Sequence, residues 1–144
     1  MAKDSYSAAI LSSSMKKGEF RKKYIAKIDG VLDKKRGIID APIKRKTEGE
    51  MKRIVAPDGK RAITEYNVIS EGGDMSMVEI TLHTGRTHQI RVHFAYIGHP
   101  LCADFLYGKR VEGECYSLHC YELRLPHPKT KEIITLTAKC DFAL

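Results

Sequence analysis

Arg86, His88 and Arg91 lie within six residues of one another in the stretch TGRTHQIRVHFAYIGHP, residues 84–100. Two guanidinium groups and an imidazole so close together suit the capture of an anion. Gly85 lets the backbone turn sharply ahead of a helix, so Arg86 and the first free amide groups should project toward one spot that attracts negative charge. The ordinary alternative is an arginine paired with a surface carboxylate beside solvated histidines. Behind the cations, Ile90, Phe94 and Ile97 are spaced four and three apart, which is helical. Thr87 is placed to cap the helix, Gly98 to take the left-handed position at its end, and Pro100 to lie just beyond. A short helix, held down by one apolar face, must therefore position the charged groups.

The rest of the chain supplies strands. Residues 20–29 alternate, with Phe20, Lys22, Tyr24, Ala26 and Ile28 on one face. Residues 38–43 read as an edge strand or a strand end, because Pro42 lacks a donor for a central ladder. The charged segment 44–59 carries the turn signal Pro57-Asp58-Gly59 and reads as a mobile loop or loose hairpin. Residues 60–70 and 75–83 form a hairpin around Glu71-Gly72-Gly73-Asp74. Residues 116–125 and 133–139 form another around 126–131. A first amphipathic helix is expected from Asp4 or Ser5 to Lys17. These elements imply one α+β domain over residues 1–144, a mostly antiparallel sheet with flanking short helices.

Charge narrows the partner. The net charge is +7, and residues 1–60 hold sixteen basic and eight acidic side chains. Clusters such as Lys44-Arg45-Lys46 and Lys52-Arg53 among strands and turns suit a surface that follows a phosphate backbone. Cys102, Cys115, Cys120 and Cys140 contain no C-x-x-C pair, and His83, His88, His93 and His99 contain no i, i+4 pair. No metal site is expected. No apolar run is long enough to cross a bilayer and the first seventeen residues lack a signal-peptide core, so a soluble cytoplasmic protein is expected.

The string at 84–100 resembles the motif TGRTHQIRVHxxxxGHP of the RluA family of RNA pseudouridine synthases, and residues 101–108 resemble its continuation, with Ala103 where glycine is usual. Lys22-Lys23-Tyr24-Ile25-Ala26 is similar to the family's K-x-Y-x-A motif. Residues 37–43, 59–66, 117–120 and 126–130 resemble further segments in the family's order. The resemblance implies the pseudouridine synthase catalytic fold, incomplete at its N-terminal side, and isomerisation of uridine in structured RNA, rRNA or tRNA. No cofactor is implied.

That chemistry breaks the N1–C1′ bond, turns the base and joins C5 to C1′, and it needs a carboxylate as nucleophile or base. The family carries it in an HRLDxxTSG motif, which none of the eight aspartates here matches. The resemblance assigns Arg91 to grip that aspartate and Tyr24 to stack on the base and move a proton. Arg86 and His88 would hold phosphate or fix the loop, Ile90 would line the pocket, and Lys22, Lys44, Arg45 and Lys46 would bind RNA. Arg91 is thus expected to face an empty place, and the chain to be a C-terminal portion, inactive alone and open to self-association. A non-catalytic RNA-binding module of the same fold is the alternative.

Overall fold

The computed structural model describes residues 21–127, 129–130 and 132–138. The helix expected before residue 18 lies outside them. Among these residues eight strands and one helix are formed: β1 (Arg21–Asp29), β2 (Arg36–Asp40), β3 (Ile43–Arg45), β4 (Arg53–Val55), β5 (Ile63–Gly72), β6 (Met75–Leu82), α1 (Gln89–Tyr96), β7 (Leu118–Pro126) and β8 (Ile133–Thr137). Six strands make one antiparallel sheet in the order β2-β5-β6-β1-β7-β8, and β3 and β4 form a separate two-stranded ladder.

Period-two alternation decides which face is covered. Ala26 and Ile28 of β1 pair with Val78 and Ser76 of β6, and all four are buried. Tyr66 on β5 joins that face and meets Phe94 of α1 edge-on, with ring centroids 5.7 Å apart. Phe94 and Ile90 thereby lock the helix onto the sheet, where burial of side chains this size contributes about 1.5–3 kcal/mol each.

The connections are tighter than their sequences suggest. Gly72 pairs directly with Met75, so the β5–β6 turn narrows to Gly73 and Asp74, with Gly73 at φ 59°. Residues 44–59 hold an ordered hairpin, with Ile43 opposite Val55 and Arg45 opposite Arg53. Pro42 separates β2 from β3. Gly59 seals the base of this hairpin, since a Cβ there would stand 2.7–2.8 Å from the Ile43 backbone.

Past Ala26, β7 no longer pairs with β1, and the chain after the helix fills that edge. Asp29 N–H donates to Pro100 C=O at 2.8 Å and Cys102 N–H to Lys27 C=O at 3.0 Å. Gly98 takes the left-handed turn that ends α1, with φ 87°. Ala103 is also left-handed, at φ 59°, a conformation that glycine adopts more readily. Among the described residues no helix is long and apolar enough to cross a membrane.

Candidate active site

A buried polar chain fixes the start of α1. Ile63 N–H donates to Thr84 Oγ1 (2.9 Å), whose hydroxyl donates to Gln89 Oε1 (2.7 Å). The amide of Gln89 donates to Ile63 C=O and to Thr64 Oγ1, both at 2.9 Å. Thr64 then donates to His93 Nδ1 (2.7 Å), and His93 Nε2–H donates to Ala41 C=O (2.9 Å). Every donor in the chain has one acceptor, which fixes the His93 tautomer. Gln89 Oε1 also accepts Arg86 N–H at 3.0 Å.

Thr87 is therefore not the cap. His88 occupies the N-cap position at φ 56° and ψ 19° without a side-chain cap bond, and Gln89 satisfies the neighbouring amide instead. Burial lowers the pKa of His93, outweighing the Ala41 carbonyl and Asp40, so the folded protein holds it neutral. A histidine with a depressed folded pKa stabilises above its unfolded value of about 6.5, and that contribution is lost as pH falls below it. Thermal melts from pH 7 to pH 5 should show falling stability, with a slope from this group of at most about 1.4 kcal/mol per pH unit. His93→Gln should flatten that slope at the expense of stability at pH 7.

Arg91 is 5 % exposed and is not unpartnered. Its Nε and Nη2 donate to Asp104 Oδ2 and Oδ1, both at 2.8 Å, and Asp104 is fully buried. The expectation that Arg91 lacks an acidic partner within this polypeptide is thus corrected. Asp104 lies thirteen residues further on, in the loop that folds back after α1. Its Oδ1 also accepts the N–H groups of Leu106 and Tyr107. Burial works against the carboxylate, but the Arg91 guanidinium and these amides hold its pKa below the usual range. The guanidinium carbon lies 4.2 Å from the ring centroid of Tyr116, 5.1 Å from Tyr107 and 5.5 Å from Phe105.

Arg91 borders a cleft of about 200 Å³ that also gathers Tyr24, Arg86, His88, Ile90 and Tyr116. Five residues expected at the site, Tyr24, Arg86, His88, Ile90 and Arg91, thus share one cavity. Tyr24 reaches it from β1, and burial raises its pKa, with Cys120 adding to the effect. Cys120 is its cross-strand partner on β7, where residues 117–120 resemble a family segment ending in alanine. The Cys120 thiol donates to Glu122 C=O at 3.7 Å, leaving sulfur as acceptor for the Tyr24 hydroxyl. Cys120→Ala should lower the Tyr24 pKa and leave stability within about 1 kcal/mol, since the neutral bond it removes is weak. Phenolate absorbance titrations of that variant, with Tyr24→Phe to isolate the ring, check this.

A second groove, of about 490 Å³, adjoins the first through Arg86. Lys44, Arg45, Arg53 and Lys60 line it with Arg86, facing the carboxylate of Asp58, which binds Lys44 at 2.7 Å. Arg86 Nε donates to Arg61 C=O at 2.9 Å. Lys44 and Arg45 are therefore brought together as expected, whereas Lys46 is outside the groove lining. Lys22 lies on β1 between Leu82 and Leu123. Among the described residues no three His, Cys, Asp or Glu side chains come together as a metal ion would require.

Reading the sequence missed Asp104, Tyr107, Tyr116 and Cys120 as neighbours of the site. Residues 101–108 and 117–120, already singled out by resemblance, contain Asp104, Tyr107 and Cys120.

Residues 1–96 match the family described as RNA pseudouridylate synthase. The chain is 44 % identical over 133 residues to the uncharacterized RNA pseudouridine synthase YjbO of Bacillus subtilis, covering 92 % of this chain and 47 % of the relative. It is 39 % identical over 142 residues to YhcT of the same organism, again an uncharacterized RNA pseudouridine synthase, covering 95 % and 46 %. Among solved structures it resembles human RNA pseudouridylate synthase domain containing 1, with a TM-score of 0.80 at 28 % identity, covering 96 % of this chain and 62 % of that one. The chain spans about half the length of the curated relatives it matches.

Proposed function

Because this chain belongs to the RNA pseudouridylate synthase family, we propose that it is the C-terminal portion of the catalytic domain of an RluA-type enzyme, which isomerises uridine in structured RNA, rRNA or tRNA. The observation that carries this reading is the shared cleft of Tyr24, Arg86, His88, Ile90 and Arg91. Its walls suit a planar base: Tyr24 and Tyr116 offer aromatic faces, and Ile90, Leu82 and Leu118 add apolar surface. The uridine leaves its stack to enter it. The adjoining basic groove takes the phosphates on either side, with Arg86 between base and backbone.

Arg91 uses Nε and Nη2 to bind Asp104, which leaves Nη1 for a carboxylate delivered by the HRLD-type segment of a longer protein. That carboxylate acts at C1′ or on a sugar proton, and Tyr24 stacks on the base and moves a proton late in the reaction. The chemistry needs neither metal nor cofactor and takes place in the cytoplasm. The 144 residues alone are inactive, because no aspartate in them stands in an HRLD context. Ile38 on β2 and Ile133 and Leu136 on β8 are exposed on the two edge strands, which supports self-association of the isolated chain.

The alternative of a non-catalytic RNA-binding module draws support from Asp104, which satisfies Arg91 without any outside partner. Tritium release from RNA labelled at uridine C5 distinguishes the two. A polypeptide extended to the length of its relatives should release tritium, and the 144 residues alone should not. Release by the short chain would overturn the role given to the missing aspartate, and none by the extended one would favour the binding module.

A further inference from the structure

His88 lines the smaller cleft close to Arg86, which borders both cavities, and one of its ring nitrogens is tied to the basic hairpin through Tyr107. Its Nδ1 lies 2.8 Å from Tyr107 Oη. That same oxygen accepts the backbone N–H of Arg53 in β4 at 2.9 Å. The amide is a fixed donor, so Tyr107 Oη accepts there and has its own proton free to give to His88 Nδ1. With Nδ1 accepting, the proton of a neutral imidazole sits on Nε2. Tyr107 is itself held in place: Asp104 Oδ1 accepts its backbone N–H at 3.2 Å, and its ring meets that of His88 edge-on at 5.6 Å and 78°.

His88 Nε2 has no hydrogen-bond partner among the described residues, although the ring lines the base cleft. Tyr24, Ile90 and Tyr116 line the same cleft, whereas the five cationic side chains of the adjoining groove offer the better place for a phosphate. The left-handed backbone at φ 56° aims this ring, a conformation that persists only where the surroundings enforce it. Burial, together with the charges of Arg91 and Arg53, keeps the imidazole neutral, and Asp104 opposes them only weakly. A neutral ring offers a phosphate no charge. It offers a carbonyl oxygen a well-directed N–H.

We propose that Tyr107 fixes His88 as a neutral Nε2–H donor to a carbonyl oxygen of the uracil held in the cleft, making His88 a base-reading residue and Tyr107 its positioning residue. This rests on the reading of the cleft as a uridine pocket. It also connects the basic hairpin to the base: Arg53 holds Tyr107, and Tyr107 holds His88.

Two measurements on this chain test it. Imidazole ¹⁵N spectra at neutral pH, with His88 assigned by loss of its signals in His88→Gln, should show a protonated Nε2 and a bare Nδ1. Tyr107→Phe should abolish that preference while thermal melts show the fold retained. A protonated Nδ1 or an imidazolium in the parent would overturn the proposal. Fluorescence anisotropy then compares a short single-stranded RNA bearing one central uridine with the same strand carrying an abasic sugar there. His88→Ala should weaken the uridine strand about three- to tenfold, the range of one neutral hydrogen bond. It should leave the abasic strand unchanged, and His88→Gln, which keeps an N–H, should recover part of the loss. Equal weakening of both strands would assign His88 to phosphate and overturn the contact. A preference for the uridine strand that His88→Ala leaves intact would overturn the contact alone, whereas a parent that binds both strands alike would overturn the uridine pocket with it.

Discussion

Replacing Asp104 with alanine is expected to destabilise the fold by about 3–5 kcal/mol, the range for removing one member of a buried ion pair. The reason is the charge left behind. Arg91 is 5 % exposed, and two of its nitrogens end on Asp104, so the substitution strands a guanidinium among aromatic rings. The amides of Leu106 and Tyr107 lose an acceptor as well. Such a loss is a large fraction of the 5–15 kcal/mol that holds a typical domain together. Denaturant unfolding measures it. The double variant Arg91→Met, Asp104→Leu should recover much of the loss, because two apolar groups leave no orphaned charge. The pair also sets an acid limit. Asp104 has a depressed folded pKa, so its contribution is complete above the unfolded value of about 3.9 and disappears as pH falls below it through the folded value.

Arg91→Lys, placed in a polypeptide long enough to carry the HRLD-type aspartate, is expected to lower turnover by about 10²–10³, the usual effect of removing one preorganised donor from a reacting centre. Lysine keeps the charge but not the fork. The ammonium cannot bind Asp104 with two parallel bonds and still present a third nitrogen to the cleft. RNA affinity should fall only slightly, because the phosphate contacts proposed above fall to Lys44, Arg45, Arg53 and Lys60, which line the neighbouring groove. Single-turnover rates and binding isotherms, measured where the variant is still folded, separate the two effects. Unchanged turnover would remove Arg91 from the catalytic machinery.

How much of this was visible in the sequence depends on the range of each interaction. Strands β1, β5, β6 and β7 were legible because alternation is a local signal, and the Gly73 turn marks where β5 passes into β6. The hairpin of β3 and β4 was legible only as one of two readings, a mobile loop or a loose hairpin, since each strand is three residues long and its charged side chains hide any alternation. The helix was legible through Ile90 and Phe94, but its start was misassigned. Thr87 has the right chemistry for a cap, yet Gln89 satisfies the amide of Arg86 from inside the helix while its other end reaches Thr64 on β5.

The cluster of Tyr24, Arg86, His88, Ile90 and Arg91 was expected from motif resemblance, and the fold does bring them to one cleft. Asp104 was counted among the aspartates and passed over. No periodicity links a carboxylate in an irregular loop to an arginine one helix earlier. Cys120 escaped for a related reason: it meets Tyr24 only because a bulge between Lys23 and Tyr24 shifts the register of β7 against β1.

The account depends most on a uracil entering the cleft beside Arg91. Photocrosslinking of this chain to an RNA whose central uridine is replaced by 4-thiouridine, followed by peptide mass spectrometry, locates that base directly. The adduct is predicted on the peptides bearing Tyr24 or Tyr116, and excess unlabelled uridine RNA should suppress it. Adducts confined to the basic groove around Lys44 and Lys60, or to the outer strand β8, would contradict it.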